Sequence, residues 1–351
     1  QRVCWLVQAS FIIAAPSSGS GKTSVTLGLL RALSRQGAKV SAGKVGPDYI
    51  DPAFHSAAIG KPSLNFDPWS MQPARLQAQL AQLEAASDYM VLESAMGLFD
   101  GAADGSATTA KLAKDLNLPV VLVVDCKGMA GSVAALVHGF ISFDLDLEFA
   151  GIILNRVASV RHADMLKAAL APFDIPVLGA LPRQEDLHLP SRHLGLIQAG
   201  DTRDLDSKLD ALADWVEQGL DLGLLQRRAG AAGNPDSFSP LPMLGQRIAL
   251  ALDNAFTFTY PHLLADWRRQ GVHIEPFSPL NNDPVPACCD AVYLPGGYPE
   301  LHAQRLSEAQ VFITSLKQAA QRGAWVYGEC GGYMALGQAI IDAQGQSWPM
   351  A

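Results

Sequence analysis

The chain has 351 residues, 49% of them hydrophobic and 17% charged, with a formal net charge of −8. That length suits two domains better than one core. The acidic balance excludes a general nucleic-acid footprint, while still allowing anion sites built from backbone N–H groups and a few local cations. Five cysteines, Cys4, Cys126, Cys288, Cys289 and Cys330, have no C-x-x-C spacing and no neighbouring histidines, which excludes a disulfide framework and a zinc motif and predicts a reducing cytoplasm.

The apolar opening from Val3 to Ala15 runs straight into a Ser/Gly loop, so it reads as a strand rather than a signal peptide. No later stretch is long and apolar enough to cross a bilayer, so no membrane partner is expected. Short apolar runs then alternate with helical patterns, the signature of a mainly parallel sheet covered by helices. Strands are predicted at Phe11–Ala15, Lys39–Lys44, Tyr89–Glu93, Val120–Asp125, Gly151–Asn155 and Val177–Leu181. Val25, Leu29, Leu30 and Leu33 share one face of a helix ending near Gly37. Leu205, Leu209, Leu212 and Val216 form a late amphipathic helix. The predicted domains are a first α/β unit over 1–225, a Pro/Gly-rich linker over 226–245 and a second α/β unit over 246–351. In the second unit strands are expected at Arg247–Asp253, His273–Phe277, Ala291–Pro295 and Ala324–Gly328. Helices are expected up to about Arg269 and from Leu306 to Arg322.

The segment Ala15-Pro16-Ser17-Ser18-Gly19-Ser20-Gly21-Lys22-Thr23 lies between a predicted strand and helix, the setting a phosphate loop requires. Small residues let the backbone of Ser18, Gly19, Ser20 and Gly21 face phosphate oxygens. Lys22 would reach the β and γ phosphates, and the Thr23 hydroxyl would ligate Mg²⁺. Asp48 and Glu93 sit at predicted strand ends, where ligands of open sheets bind, and are candidate metal carboxylates. Asn155 ends another strand, with an amide able to read an adenine edge or to serve a turn.

Ala324-Trp325-Val326-Tyr327-Gly328-Glu329-Cys330-Gly331-Gly332 reads as a strand, a G-x-C-G-G turn and a helix start. This is a nucleophile elbow with cysteine in the serine position. The glycines permit the tight turn, and the helix start favours negative charge on sulfur. Gly331, together with Gly297 from Leu294-Pro295-Gly296-Gly297-Tyr298, could supply N–H donors to an oxyanion. The Cys288-Cys289 pair reads as structural.

Taken together these strings resemble the cobyrinic and hydrogenobyrinic acid a,c-diamide synthases of cobalamin biosynthesis. Further carriers are Lys44-Val45-Gly46-Pro47-Asp48-Tyr49-Ile50-Asp51-Pro52, Glu93-Ser94-Ala95-Met96-Gly97-Leu98-Phe99-Asp100-Gly101, Leu189-Pro190-Ser191-Arg192-His193-Leu194-Gly195-Leu196 and Asp253-Asn254-Ala255-Phe256. The first half is also similar to dethiobiotin synthetase and the second to class I glutamine amidotransferases. The resemblance implies a P-loop-type α/β domain followed by a flavodoxin-like α/β glutaminase domain. It implies ATP and Mg²⁺ as cofactors, glutamine as ammonia donor and a corrinoid acid as substrate, amidated through an acyl phosphate.

In that scheme Cys330 is the glutaminase nucleophile and Asp100 orients the carboxylate or ammonia. Asp48 and Glu93 bind metal, Asn155 touches adenine, and Ser191, Arg192 and His193 meet the polyanionic substrate. A homodimer is compatible with it. The family pattern also implies a histidine downstream of the cysteine. The last one here is His302, upstream, so the expectation is that the chain stops before it. A cobyric acid synthase-like amidase and a partitioning-type ATPase are the competing assignments; the cysteine elbow counts against the second.

Overall fold

The computed structural model describes residues 9–184, 204–225 and 239–351. The chain divides into two compact units, Gln1–Phe238 and Ser239–Ala351. In chain order the first contains β1 (Ala9–Ala14), α1 (Lys22–Arg35), β2 (Val40–Val45), α2 (Ile50–Ile59), β3 (Leu64–Phe66), α3 (Pro73–Ala85), β4 (Tyr89–Glu93), α4 (Thr109–Asp115) and β5 (Val120–Asp125). It continues with α5 (Ser132–Phe143), β6 (Phe149–Val157), α6 (Val160–Leu170), β7 (Val177–Pro182), α7 (Leu205–Gly219) and α8 (Leu222–Leu225).

The seven strands form one sheet in the order β3-β2-β4-β1-β5-β6-β7, paired in parallel throughout. Its central strands are buried on both faces, which is why β1 and β5 read as unbroken apolar runs rather than alternating ones. Ile12, Leu92, Leu122 and Leu154 belong to one core cluster on this sheet. Against it α1 and α7 pack tightly. A Cβ on Gly28 of α1 would stand 2.5 Å from the Leu212 carbonyl of α7, so only glycine lets the helices approach this closely. Arg31 and Arg35 reach across to Asp210 and Asp214 at 2.8 and 2.7 Å.

The second unit contains β8 (Arg247–Ala251), α9 (Pro261–Arg269), β9 (His273–Phe277), β10 (Ala291–Leu294), α10 (Ala303–Glu308), α11 (Gln310–Gln321), β11 (Trp325–Gly328), α12 (Gly331–Ala335), β12 (Ala339–Ile341) and β13 (Ser347–Pro349). Its parallel sheet has the order β11-β10-β8-β9, the flavodoxin-like arrangement, with β12 and β13 as a separate antiparallel pair. Among the described residues no helix is long and apolar enough to cross a membrane.

Three local expectations differ from the structure. The strand β3 went unread because three residues carry no period. The single helix expected from Leu306 to Arg322 is broken at Ala309, whose ψ of 64° leaves the helical region, giving α10 and α11. Residues 239–245, expected in the linker, lie against α9: Trp267 Nε1 donates to the Pro242 carbonyl at 2.8 Å, and Gln270 Nε2 to that of Leu241.

Candidate functional site

The loop after β1 turns through Gly19 and Gly21, whose φ values of 80° and 88° lie in the left-handed region that glycine adopts without strain. Gly21 leads into α1, which starts at Lys22, so successive backbone N–H groups converge at a helix N-terminus. Ser20 Oγ donates to the Ser17 carbonyl at 2.9 Å and closes the loop. The loop is also held from β6: Asn155 Nδ2 donates to the Ser20 carbonyl at 2.9 Å, while its Oδ1 accepts from Arg156 N at 2.8 Å. A Cβ at position 21 would lie 2.3 Å from Asn155 Nδ2. The Asn155 amide, expected to read adenine, is thus engaged with the loop backbone. Beside it Gly21, Ser24, Asn155, Arg156, Gln184, Leu212 and Trp215 line a recess of about 40 Å³.

Glu93 ends β4 fully buried and collects three side-chain partners. Thr23 Oγ1 donates to its Oε1 at 2.6 Å, Lys44 Nζ reaches Oε1 at 3.0 Å, and His55 Nε2 reaches Oε2 at 2.8 Å. The register of the neighbouring strand β2 sets Lys44 beside Glu93. Because a carboxylate can only accept, His55 Nε2 carries the proton, which leaves Nδ1 to accept from Ser63 Oγ at 3.2 Å in the neutral ring. Lys44 also donates to Asp51 Oδ2 at 2.5 Å and to the Ser94 carbonyl at 3.2 Å.

These charges decide one another. Burial alone would raise the Glu93 carboxyl, but Lys44 and the His55 hydrogen bond override it and hold it well below its usual range. Burial would lower the Lys44 ammonium, and Glu93 and Asp51 reverse that and raise it. Asp51 is pushed up to about 6 by burial and by the Glu93 charge, with Lys44 opposing. At the loop itself burial lowers the Lys22 ammonium, against the pull of Glu93.

The structure therefore brings Lys22, Thr23 and Glu93 together, as the sequence predicts. Asp48 lies near enough to Lys44 and Asp51 to act on their charges, but spends Oδ1 on the N–H groups of Ile50 and Asp51 at the start of α2. Asp100 accepts from Gly97 N at 3.0 Å and lies near enough to Lys22 to act on its charge. Lys44, Asp51 and His55 were missed. A lysine inside the fully buried strand β2 was the available signal, since it demands a partner. Asp51 and His55, four apart on α2, share the face turned toward Lys44 and Glu93. Ser191, Arg192 and His193 lie outside the described residues.

In the second unit Cys330 is exposed and takes φ 50° and ψ −119°, outside every region favoured by an L-residue. Such a conformation costs on the order of 1–3 kcal/mol and persists because the surroundings impose it. Those surroundings are backbone. A Cβ on Gly332 would meet the Leu294 carbonyl at 1.9 Å, one on Gly297 the Ala255 carbonyl at 2.0 Å, and one on Gly331 the Pro299 ring at 2.5 Å. Cys330 Cβ itself lies 3.1 Å from where a Gly296 Cβ would stand. The glycine pair 296–297 thus borders the cysteine, and Phe258 N secures it through the Gly296 carbonyl at 2.9 Å. Glu329 faces away and accepts from Tyr293 Oη at 2.5 Å. His302 closes the short 3₁₀ segment Pro299–His302, and among the described residues no histidine hydrogen bond to Cys330 is found.

Comparison with known proteins follows the same division. The family described as the CobQ/CobB/MinD/ParA nucleotide binding domain matches residues 11–197, and the CobB/CobQ-like glutamine amidotransferase domain matches residues 247–351. A hydrogenobyrinate a,c-diamide synthase from Brucella anthropi is 54% identical over 97% of this chain and 79% of its own length. The synthase of that name from Rhizobium meliloti is 51% identical over 97% and 79%, respectively. Among solved structures, chloroplast FtsY from Physcomitrella patens aligns over 58% of this chain and 65% of its own, with a TM-score of 0.37 and 17% identity, too distant to carry an argument. An identity above one half, held across both domains in the same order, shows that the chain belongs to the hydrogenobyrinate a,c-diamide synthase family.

Proposed function

We propose that this protein converts the a and c side-chain carboxylates of hydrogenobyrinic acid to amides, with ATP to activate each carboxylate and glutamine to supply ammonia. The observation that carries the synthetase half is the meeting of Thr23, Lys22 and buried Glu93 at the start of α1. The relatives' names support the cobalt-free acid as substrate and a place in cobalamin biosynthesis.

The donor set fits Mg²⁺. A hydroxyl and a carboxylate, both hard oxygen donors, meet at 2.6 Å where α1 begins. Thr23 and Glu93 would hold the ion, with Asp48 or the more closely placed Asp51 completing its protein ligands. Bound there, it would neutralise charge building on the phosphates.

In the reaction a substrate carboxylate oxygen attacks the γ phosphorus and ADP leaves, giving an acyl phosphate. Lys22 and the loop N–H groups hold the phosphates in line, and Asp100 orients the carboxylate or the incoming ammonia. In the second domain the Cys330 sulfur attacks the side-chain carbonyl of glutamine, with Gly297 N and Gly331 N receiving the oxyanion. Ammonia departs, and water hydrolyses the thioester to glutamate. Ammonia then displaces phosphate from the acyl carbon, and the amide remains. Dividing the work answers two chemical problems: a carboxylate is a poor electrophile, and free ammonia is mostly protonated at neutral pH. Ser191, Arg192 and His193 are the proposed contacts for the ring's other carboxylates, and the cytoplasm is the proposed location.

The test is product analysis by mass spectrometry with hydrogenobyrinic acid, ATP and Mg²⁺, using ammonium chloride and, separately, glutamine. One and then two exchanges of OH for NH₂ are expected with the ammonium salt. No amide from any corrinoid acid under those conditions overturns the synthetase assignment.

A further inference from the structure

Away from both sites, the fold assembles three ligating side chains that no step above uses. Cys288 and Cys289 lie just before β10, and Glu275 lies within β9, the edge strand of the second sheet. Glu275 stands 13 residues before Cys288, which adjoins Cys289, and one ligating atom from each falls within 4.8 Å of the others. Cys288 Sγ is 3.5 Å from Glu275 Oε2 and 3.5 Å from Arg247 Nη2 at the start of β8. Cys288 is exposed, Glu275 half-buried and Cys289 buried, so the group forms a shallow well with one open side.

The position separates this group from the elbow. Cys330 follows the C-terminal end of β11, whereas the paired cysteines precede the N-terminal end of the parallel neighbour β10. The two thiol sites therefore sit at opposite ends of one sheet.

We infer that Glu275, Cys288 and Cys289 form a binding site for a thiophilic divalent cation of the zinc class. Two sulfurs and one carboxylate oxygen are a donor set that thiophilic ions accept and that Mg²⁺ and Ca²⁺ do not favour. Zinc takes sulfur at about 2.3 Å and carboxylate oxygen at about 2.1 Å, which sets donor atoms roughly 3.6–3.8 Å apart in a tetrahedron. From their present spacing, side-chain rotations of about 1 Å close the set, and the open side leaves a fourth position for water. The neighbouring main chain is fixed: Asp290 accepts from Gln246 N and Arg247 N at 3.0 and 2.9 Å, and Cys289 N donates to the Pro286 carbonyl. An ion here would tie the segment before β10 to the edge strand and so stabilise the second unit.

The experiment uses the whole reduced protein, freed of metal and titrated with Cd²⁺ and with Zn²⁺. Cd²⁺ reports through its thiolate charge-transfer absorption, and Zn²⁺ through equilibrium dialysis and the thermal midpoint. One saturable equivalent is expected, with the absorption of two thiolates and a raised midpoint. It should survive Cys330→Ser, disappear in Cys288→Ser and in Cys289→Ala, and weaken at least tenfold in Glu275→Gln. Cys288 is exposed, so its serine variant keeps the test meaningful if the buried Cys289 variant is poorly folded. An equivalent that persists in Cys288→Ser, is lost in Cys330→Ser, or ignores Glu275→Gln overturns the assignment. So does the absence of any saturable equivalent.

Discussion

The phosphate-loop site and the cysteine elbow obtain their reactivity in opposite ways. Around Glu93, function rests on side-chain charge: an ammonium, two carboxylates, an imidazole and a hydroxyl from α1, β2, α2 and β4 meet within hydrogen-bond distance. Around Cys330 it rests on backbone shape, with glycines at 297, 331 and 332 admitting carbonyls and a proline ring where a Cβ would stand. The contrast teaches that the first site is electrostatically coupled and the second sterically templated. Changes at one should spread through charges, and changes at the other should stay local.

The largest expected effect is at the elbow and confined to it. Cys330→Ala should lower glutamine-driven amidation by roughly 10³-fold or more, while ammonium-driven amidation stays near wild type, because loss of a nucleophile removes one chemical step entirely. Parallel assays with the two nitrogen sources check this, and glutamine-driven turnover surviving in the variant would remove Cys330 from the mechanism.

At the charged site the effects should spread to stability. Lys44→Met strips the cation from buried Glu93 and should cost about 3–5 kcal/mol in urea unfolding. It should also abolish amidation with either nitrogen source. Adding Glu93→Gln should restore much of the stability and none of the activity, which separates the ion pair's two roles. His55→Leu leaves one Glu93 oxygen without its donor and should cost about 1–3 kcal/mol. A stability equal to wild type would mean the pair adds nothing beyond packing.

The smallest effect is a pH slope. In the folded protein the Asp51 carboxyl is pushed up to about 6 from an ordinary 3.8, so folding favours its neutral form. Its contribution is therefore full below about pH 4 and is lost as pH rises through 6. Measured without nucleotide or Mg²⁺, Asp51→Asn should gain on wild type between pH 4 and 7, by on the order of 1–2 kcal/mol. A gap that narrows over that range would show Asp51 ionised throughout and the coupling argument mistaken.

The same contrast explains what the sequence disclosed. The elbow was readable because its parts are contiguous: strand, Gly328, Cys330 and two glycines occupy one short string. The phosphate loop was readable for the same reason. Glu93 was identified by a strand end, but Lys44, Asp51 and His55 were not, since their roles exist only once β2 pairs with β4 and α2 lies alongside. Asn155 was read as the last residue of its strand, whereas β6 runs on to Val157, and its bond to the Ser20 carbonyl depends on how closely β6 approaches a loop far away in sequence. The metal-ligating trio was hidden in the same way: Cys288 and Cys289 acquire Glu275 only through the sheet edge.

The close seam between α1 and α7 has a mechanical consequence. The helix bearing Lys22 and Thr23 is gripped at Gly28 by the Leu212 turn of α7, and Gln184, after β7, stands at the recess beside Gly21 together with Leu212 and Trp215. Any side chain at position 28 would have to push α1 off α7, and Lys22 and Thr23, on the first turn of that same helix, would move with it.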